Sequence, residues 1–296
     1  MLHSRLLLTF LTSFISLGFA ANTLAADPLH LEVYNPGESA VFPVSSVIVT
    51  GEKEAVLIDA QFQRNDALAV VEKIKASGKQ LTTVYISHYD PDYYFGLDVV
   101  KAAFPEANIV ATAETVAKIK VSKDAKLAHW GPILKENAPG KLIVPKALAS
   151  RSLKVDGHTL EITGPEASRC FVWIPSIKAV VGGIPVLANI HVWVADTQSL
   201  ASRKAWLKSL DAIDALKPHT VVPGHYLFNA DGSEPRDLQS VAFTREYLRT
   251  FEVEAAKAES SASLITAMKK RYPNLGEESS LELSAKVIKG EMKWPQ

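Results

Sequence analysis

His88, Asp90 and Asp92 stand at alternate positions in TVYISHYDPDYYFGLD (residues 83–98), directly after the strand-like run Val84-Tyr85-Ile86. Alternate residues of an extended chain share a side, so one imidazole and two carboxylates could converge where the strand frays into a loop. That set suits a divalent transition metal: zinc accepts it, and iron(II) or manganese(II) favour its harder oxygen donors. Three further polar clusters follow strand-like runs: Asp59 after AVLI, Gly164-Pro165-Glu166 after the run at 159–163, and Pro223-Gly224-His225. Strand ends in layered folds are where ligand sites gather, because a rigid scaffold there aims loop residues. A lone histidine after a strand is more often a hydrogen-bonded structural residue; the order of the four clusters is what points to a site.

The elements that must position these residues alternate along the chain. Residues 45–50 (SSVIVT) and 55–59 (AVLID), with a turn at Gly51-Glu52-Lys53, read as a hairpin of buried strands. A helical period places Leu68, Val71 and Ile74 on one face of residues 66–77, and Gly78 ends that helix. The strand ending at His88 comes next, then a helix over 96–103, a short strand at 108–111 and a helix through Ile119. Residues 121–150 contain Trp130, Gly131, Pro132, Pro139 and Gly140 and read as a loop with short turns that could lie over a site mouth. Strands return at 151–155, 159–163, 170–174 and 179–181. An amphipathic helix over 198–216 should face Ala201, Ala205, Leu207 and Leu210 to the core, followed by a buried strand at 220–222. The rest, from Leu238, reads as helical with a break at Tyr272-Pro273. Helices outside two packed sheets are the layered solution, as one domain over 27–296 with a C-terminal helical extension.

Composition narrows the partners. Lys plus Arg and Asp plus Glu number 32 each in 296 residues, so the chain carries no net charge. No electrostatic footprint for nucleic acid or an anionic membrane follows from that balance, and a small-molecule substrate is the expected partner. Cys170 is the single cysteine, so no internal disulfide or cysteine-rich metal cluster can form, and its β-like surroundings suggest a buried thiol. At the N-terminus, His3 and Arg5 precede the apolar run Leu6 to Ala20, with small residues at Ala20-Ala21 and Ala25-Ala26. Residues 1–26 therefore read as a signal peptide, too short in its apolar part for a membrane span, and the mature chain as periplasmic or secreted.

These motifs, in this order, resemble the metallo-β-lactamase superfamily over nearly the whole mature chain. VLIDA, ISHYDPDYYFG, GPEASRCFVWIP, VVGGI and VVPGHY are similar to the family's successive motifs. The resemblance implies an αββα sandwich with a metal site at one edge between the sheets. It also implies a first metal on three histidines, whose positions here hold His88, Asp90 and Pro165, with Glu166 one residue from the missing third. A second metal would take Asp92, Tyr93 and His225, with Ile184 at the bridging position. Proline and isoleucine cannot coordinate, and tyrosine is a poor ligand unless ionised. The ligands that remain are His88, Asp90, Asp92 and His225, with Glu166 as an addition.

Two functions lead, ahead of a redox or oxygen-handling iron protein suggested only by the acidic Asp90, and the sequence leaves both open. In one, a single metal, zinc before iron or manganese, activates water in an exported hydrolase of a lactam, lactone or ester. Asp92 then orients or deprotonates that water if it is not itself a ligand. In the other, coordination has been lost and the fold binds a small molecule or protein partner without metal. Tyr93, His191 and Trp193 are expected to line the substrate pocket, although each could equally pack structurally. Asp59 is expected to hold the His88 loop through hydrogen bonds rather than to bind anything.

Overall fold

The computed structural model describes residues 28–167 and 169–294. The expected signal peptide lies outside them. Period-two alternation sorts its strands into layers. In β2 (Ser46–Thr50) and β3 (Glu54–Ile58), Val47, Val49, Val56 and Ile58 face one apolar cluster, while Ile48, Ala55 and Leu57 face another. They belong to a six-stranded sheet ordered β1-β2-β3-β4-β5-β6, with β1 at His30–Tyr34, β4 at Gln80–Ile86, β5 at Asn108–Ala111 and β6 at Lys146–Ala147. Strands β1 to β3 pair antiparallel and β3 to β6 parallel.

The second sheet is ordered β12-β10-β9-β8-β7, from β7 (Ser152–Val155), β8 (His158–Thr163), β9 (Phe171–Ile174), β10 (Ala179–Val181) and β12 (Thr220–Val221). Its side chains at Val172, Ile174 and Val181 meet Val47, Ile58 and Tyr85 of the first sheet, forming the core between the two. The outer face of the first sheet packs on α1 (Arg64–Ala76) and α3 (Leu97–Ala103). Phe171 and Trp173, on the other face of β9, pack on α5 (Leu200–Ala215), α6 (Leu238–Lys257), α7 (Ser261–Arg271) and α8 (Glu278–Ile288). Helix, sheet, sheet, helix is the αββα order. A small pair, β11 (Leu187–Ala188) with β13 (His225–Tyr226), brings the terminal histidine alongside the 183–188 turn.

Several expectations need correction. Residues 121–134 are not loop: α4 runs over Ala113–Leu134. Its Lys- and Ala-rich sequence favours helix, and Pro132 falls in the last turn, so the hydrogen bond its missing N–H forgoes is lost at the helix end and interrupts nothing beyond it. In α1, Leu68 points outward, 52 % exposed, although Val71 and Ile74 are buried as expected. In α5, Ala201 is exposed and Trp206, Leu210 and Ile213 carry the buried face. The C-terminal helices break at Ala258–Ser260 as well as at Tyr272, because Ser260 and Ser263 form a reciprocal capping box that starts α7. Strands β1, β6, β11 and β13 gave no sequence signal strong enough to place them.

Candidate functional site

The floor of the site is a buried polar knot. Asp59 leaves β3 with φ +63° and accepts hydrogen bonds from the Ser87 N–H at 2.7 Å and the Ser87 hydroxyl at 2.6 Å. Ser87 Oγ in turn accepts the Gly183 N–H at 2.8 Å, so one side chain ties the ends of β3, β4 and β10 together. Burial pushes the Asp59 carboxyl up to about 7, with those hydrogen bonds opposing it. On the opposite side, Gly224 lies so close to the Gly183 carbonyl that a Cβ there would strike it, which seats His225 against the same turn.

Two histidine–aspartate pairs stand above this floor, and they are separate. His88 Nδ1 lies 3.2 Å from Asp90 Oδ2, and the Lys126 ammonium of α4 reaches Asp90 Oδ1 at 2.7 Å and the Tyr89 carbonyl at 3.0 Å. Burial opposes the charge on Asp90, but His88 and Lys126 beside it hold its carboxyl well below the usual range. Burial holds the His88 imidazole below its ordinary value. The second pair joins Asp92 Oδ2 to His225 Nε2 at 2.6 Å. Asp92 sits in the first turn of α2 (Pro91–Tyr94) and His225 opens β13.

Tyr93 divides the pairs. Its ring is fully buried, with centroids 5.4 Å from both His88 and His225, and it meets each edge-on. Burial, with Asp92 next, raises its phenol well above the usual value, so the hydroxyl keeps its proton, and its oxygen lies 3.1 Å from His225 Nδ1. Glu166 belongs to neither pair: its carboxylate faces Arg169 at 3.7 Å, and the Arg169 guanidinium stacks on Trp206 at 4.7 Å.

The second pair opens onto a cavity of about 790 Å³, within the range of small-molecule sites. Asp90, Asp92, Ile184, His191, Trp193 and His225 line it, whereas His88 and Tyr93 lie behind the wall. His191 is buried and its Nδ1 lies 2.9 Å from the Tyr247 hydroxyl. Of the lining residues missed from the sequence, three bear most directly on the site. Lys126 was hidden by reading its segment as loop, although Lys118, Ser122 and Lys126 have the four-residue spacing of one helix face. Asp196 accepts the indole N–H of Trp193 at 2.6 Å and of Trp294 at 2.8 Å. Nothing in the sequence marks Trp294, near the C-terminus, as part of the site.

A match to the metallo-beta-lactamase superfamily covers residues 40–225. The chain belongs to that superfamily. Among solved structures, it is similar to a beta-lactamase domain protein from Burkholderia ambifaria, at 15 % identity and TM-score 0.61, covering 88 % of this chain and 84 % of that one. It is also similar to a metallo-beta-lactamase family protein from Thermus thermophilus, at 16 % identity and TM-score 0.59, covering 86 % and 91 %. A metallo-beta-lactamase from Pontibacter korlensis matches at 19 % identity and TM-score 0.53, over 77 % and 97 %. A comparison with curated proteins returns no match. At these identities the structures establish the fold alone; the superfamily as a whole supports a metallohydrolase-type function.

Superfamily members usually bind divalent metals, and this donor set does not fit one. A catalytic zinc takes about three protein ligands at roughly 2.0–2.2 Å for nitrogen and oxygen. No group of three or more His, Cys, Asp or Glu among the described residues is placed to hold an ion. The reasons are visible in the geometry: Tyr93 occupies the space between the imidazoles, and a lysine already neutralises Asp90. His88 Nε2 is buried without a hydrogen-bond partner among the described residues.

Proposed function

We propose that this chain uses the superfamily cavity, without metal, to bind a small molecule with a mainly apolar body. The observation that carries this reading is the wedge of Tyr93 between His88 and His225, reinforced by the Lys126–Asp90 ion pair. A site that has replaced a dication by an ammonium keeps its carboxylate satisfied while losing the Lewis acid. The cavity that remains is rich in aromatic and aliphatic surface with a few fixed polar groups, the usual form of a ligand pocket. Export to the periplasm or out of the cell is part of the same reading, supported by the apolar N-terminal run.

One observation favours a second reading. The unpartnered His88 Nε2, together with the Asp92–His225 pair, is what would remain for a single zinc, iron or manganese ion in a hydrolase of lactams, lactones or esters. Elemental analysis separates the two. The full mature chain is purified without chelator, equilibrated with each metal in turn, and titrated with the neutral apolar dye Nile red. Dye binding with metal well below one equivalent supports the metal-free pocket. One equivalent of metal, lost in His225→Ala, replaces it with the hydrolase.

A further inference from the structure

The cavity has an unequal charge balance that bears on what it holds. Asp90 is answered by Lys126, and Asp92 by His225. Two further lining carboxylates make no ion pair among the described residues: Asp196, whose oxygens accept the indole N–H groups of Trp193 and Trp294 and which feels the Arg169 guanidinium only at longer range, and Glu277. Glu277 precedes α8 in the left-handed region at φ 56°, a costly conformation for a side-chain-bearing residue, and makes no capping hydrogen bond. Burial pushes up the carboxyls of both residues, Asp196 to about 6, with Asp90 adding to that shift. Lys118 and Lys293 line the same cavity but are exposed, so water screens their charges.

The aromatic surface is disposed the same way. Trp193 and Trp294 meet at 73° with centroids 5.3 Å apart, forming a corner whose two N–H groups both point at the Asp196 carboxylate. An indole that donates to an anion has a more electron-rich face, which strengthens its attraction for a cation. The cavity already uses this interaction once: the ammonium groups of Lys118 and Lys126 sit 4.4 and 4.6 Å from the centre of the Tyr89 ring.

From this placement we propose that the ligand is an organic ammonium ion with an apolar or aromatic body, its charge seated at the Trp193–Trp294 corner and balanced by Asp196 and Glu277. The inference rests on the reading of the cavity as a ligand site and adds the class of ligand. A cation in the cavity meets half-buried carboxylates that make no ion pair, whereas an anion would meet them as like charges. The Trp294 wall comes from the chain's own C-terminal segment, anchored by the Gln198 side-chain amide to the Trp294 carbonyl at 3.1 Å. Residues from two distant parts of the sequence thus build the cation seat.

The test compares three probes of similar body and different charge: phenethylammonium, 2-phenylethanol and 3-phenylpropanoate. Each is titrated into the full mature chain carrying Nile red, with displacement and tryptophan quenching as readouts. The ammonium should bind about tenfold more tightly than the alcohol, and the carboxylate most weakly. Trp294→Leu and Glu277→Gln should each cost the ammonium about fivefold and leave the alcohol within twofold. Equal binding of ammonium and alcohol, or tighter binding of the carboxylate, overturns the ligand class while the bound dye keeps the pocket. Failure of the dye and all three probes to bind removes the pocket itself, and this inference with it.

Discussion

The floor of the site and its rim contain the same kinds of residue but use them differently. On the floor, Asp59, Ser87 and Gly183 form a closed chain of short hydrogen bonds in which the carboxylate is fully enclosed. On the rim, two carboxylates that a shared metal would neutralise are instead answered singly, one by a lysine and one by a histidine. The floor joins three strand ends and is needed whatever the rim does. The rim tolerates replacement because each acid needs only some hydrogen-bonding partner, and α4 supplies one in Lys126. A fold can therefore keep its motif order while the chemistry above it changes.

The largest effect should come from breaking the floor. Asp59→Ala deletes the acceptor of two buried hydrogen bonds, leaves the Ser87 groups unpaired and places alanine at a positive φ. A loss of about 3 kcal/mol is expected in urea unfolding. Ser87→Ala, which removes only the hydroxyl, should cost about half of that. If Asp59→Ala costs less than Lys126→Met on the rim, the distinction drawn between the two regions is wrong.

A smaller effect is expected on the rim. Lys126 and Asp90 are each about one-fifth exposed, so their attraction is only partly screened by water. Lys126→Met should cost about 1–2 kcal/mol by leaving Asp90 underpaired, and adding Asp90→Asn should return most of that loss. Additive costs in this double-mutant cycle would mean that the two side chains do not act as a pair.

The floor and the rim differed in how far the sequence revealed them. Alternation in VIV and AVLI was enough to place β2 and β3 between two apolar layers, and the ordered polar clusters at 59, 88–92 and 223–225 located the site edge. The partners of those clusters were harder to see. Lys126 belongs to a helix whose Gly131 and Pro132 look like breakers, because the sequence does not show that they fall in a final turn. Tyr93 was expected to line the pocket, yet it lies behind the wall; spacing fixes its place on the loop but not the direction of its ring. Trp294 reaches Asp196 from nearly a hundred residues away, a contact that no local pattern encodes.

An effect of similar size, visible only as a dependence on pH, concerns His191, and it tests whether the cavity wall behaves as buried protein. The imidazole is 1 % exposed, and burial lowers its pKa from 6.5 to about 4. The unfolded chain therefore binds a proton between those values that the folded chain refuses. This contribution to stability is complete above about pH 6.5, declines as the pH falls, and is gone below about pH 4. Allowing for solvent in the cavity, the decline should amount to about 2 kcal/mol. His191→Phe keeps an aromatic ring in the wall but cannot titrate, so it should flatten that part of the pH–stability curve. It also leaves the Tyr247 hydroxyl without its partner, at a cost of about 1 kcal/mol that does not vary with pH. A variant curve of unchanged slope would assign the pH dependence to other groups and show the wall at His191 to be wet, which would weaken the case for an apolar ligand body.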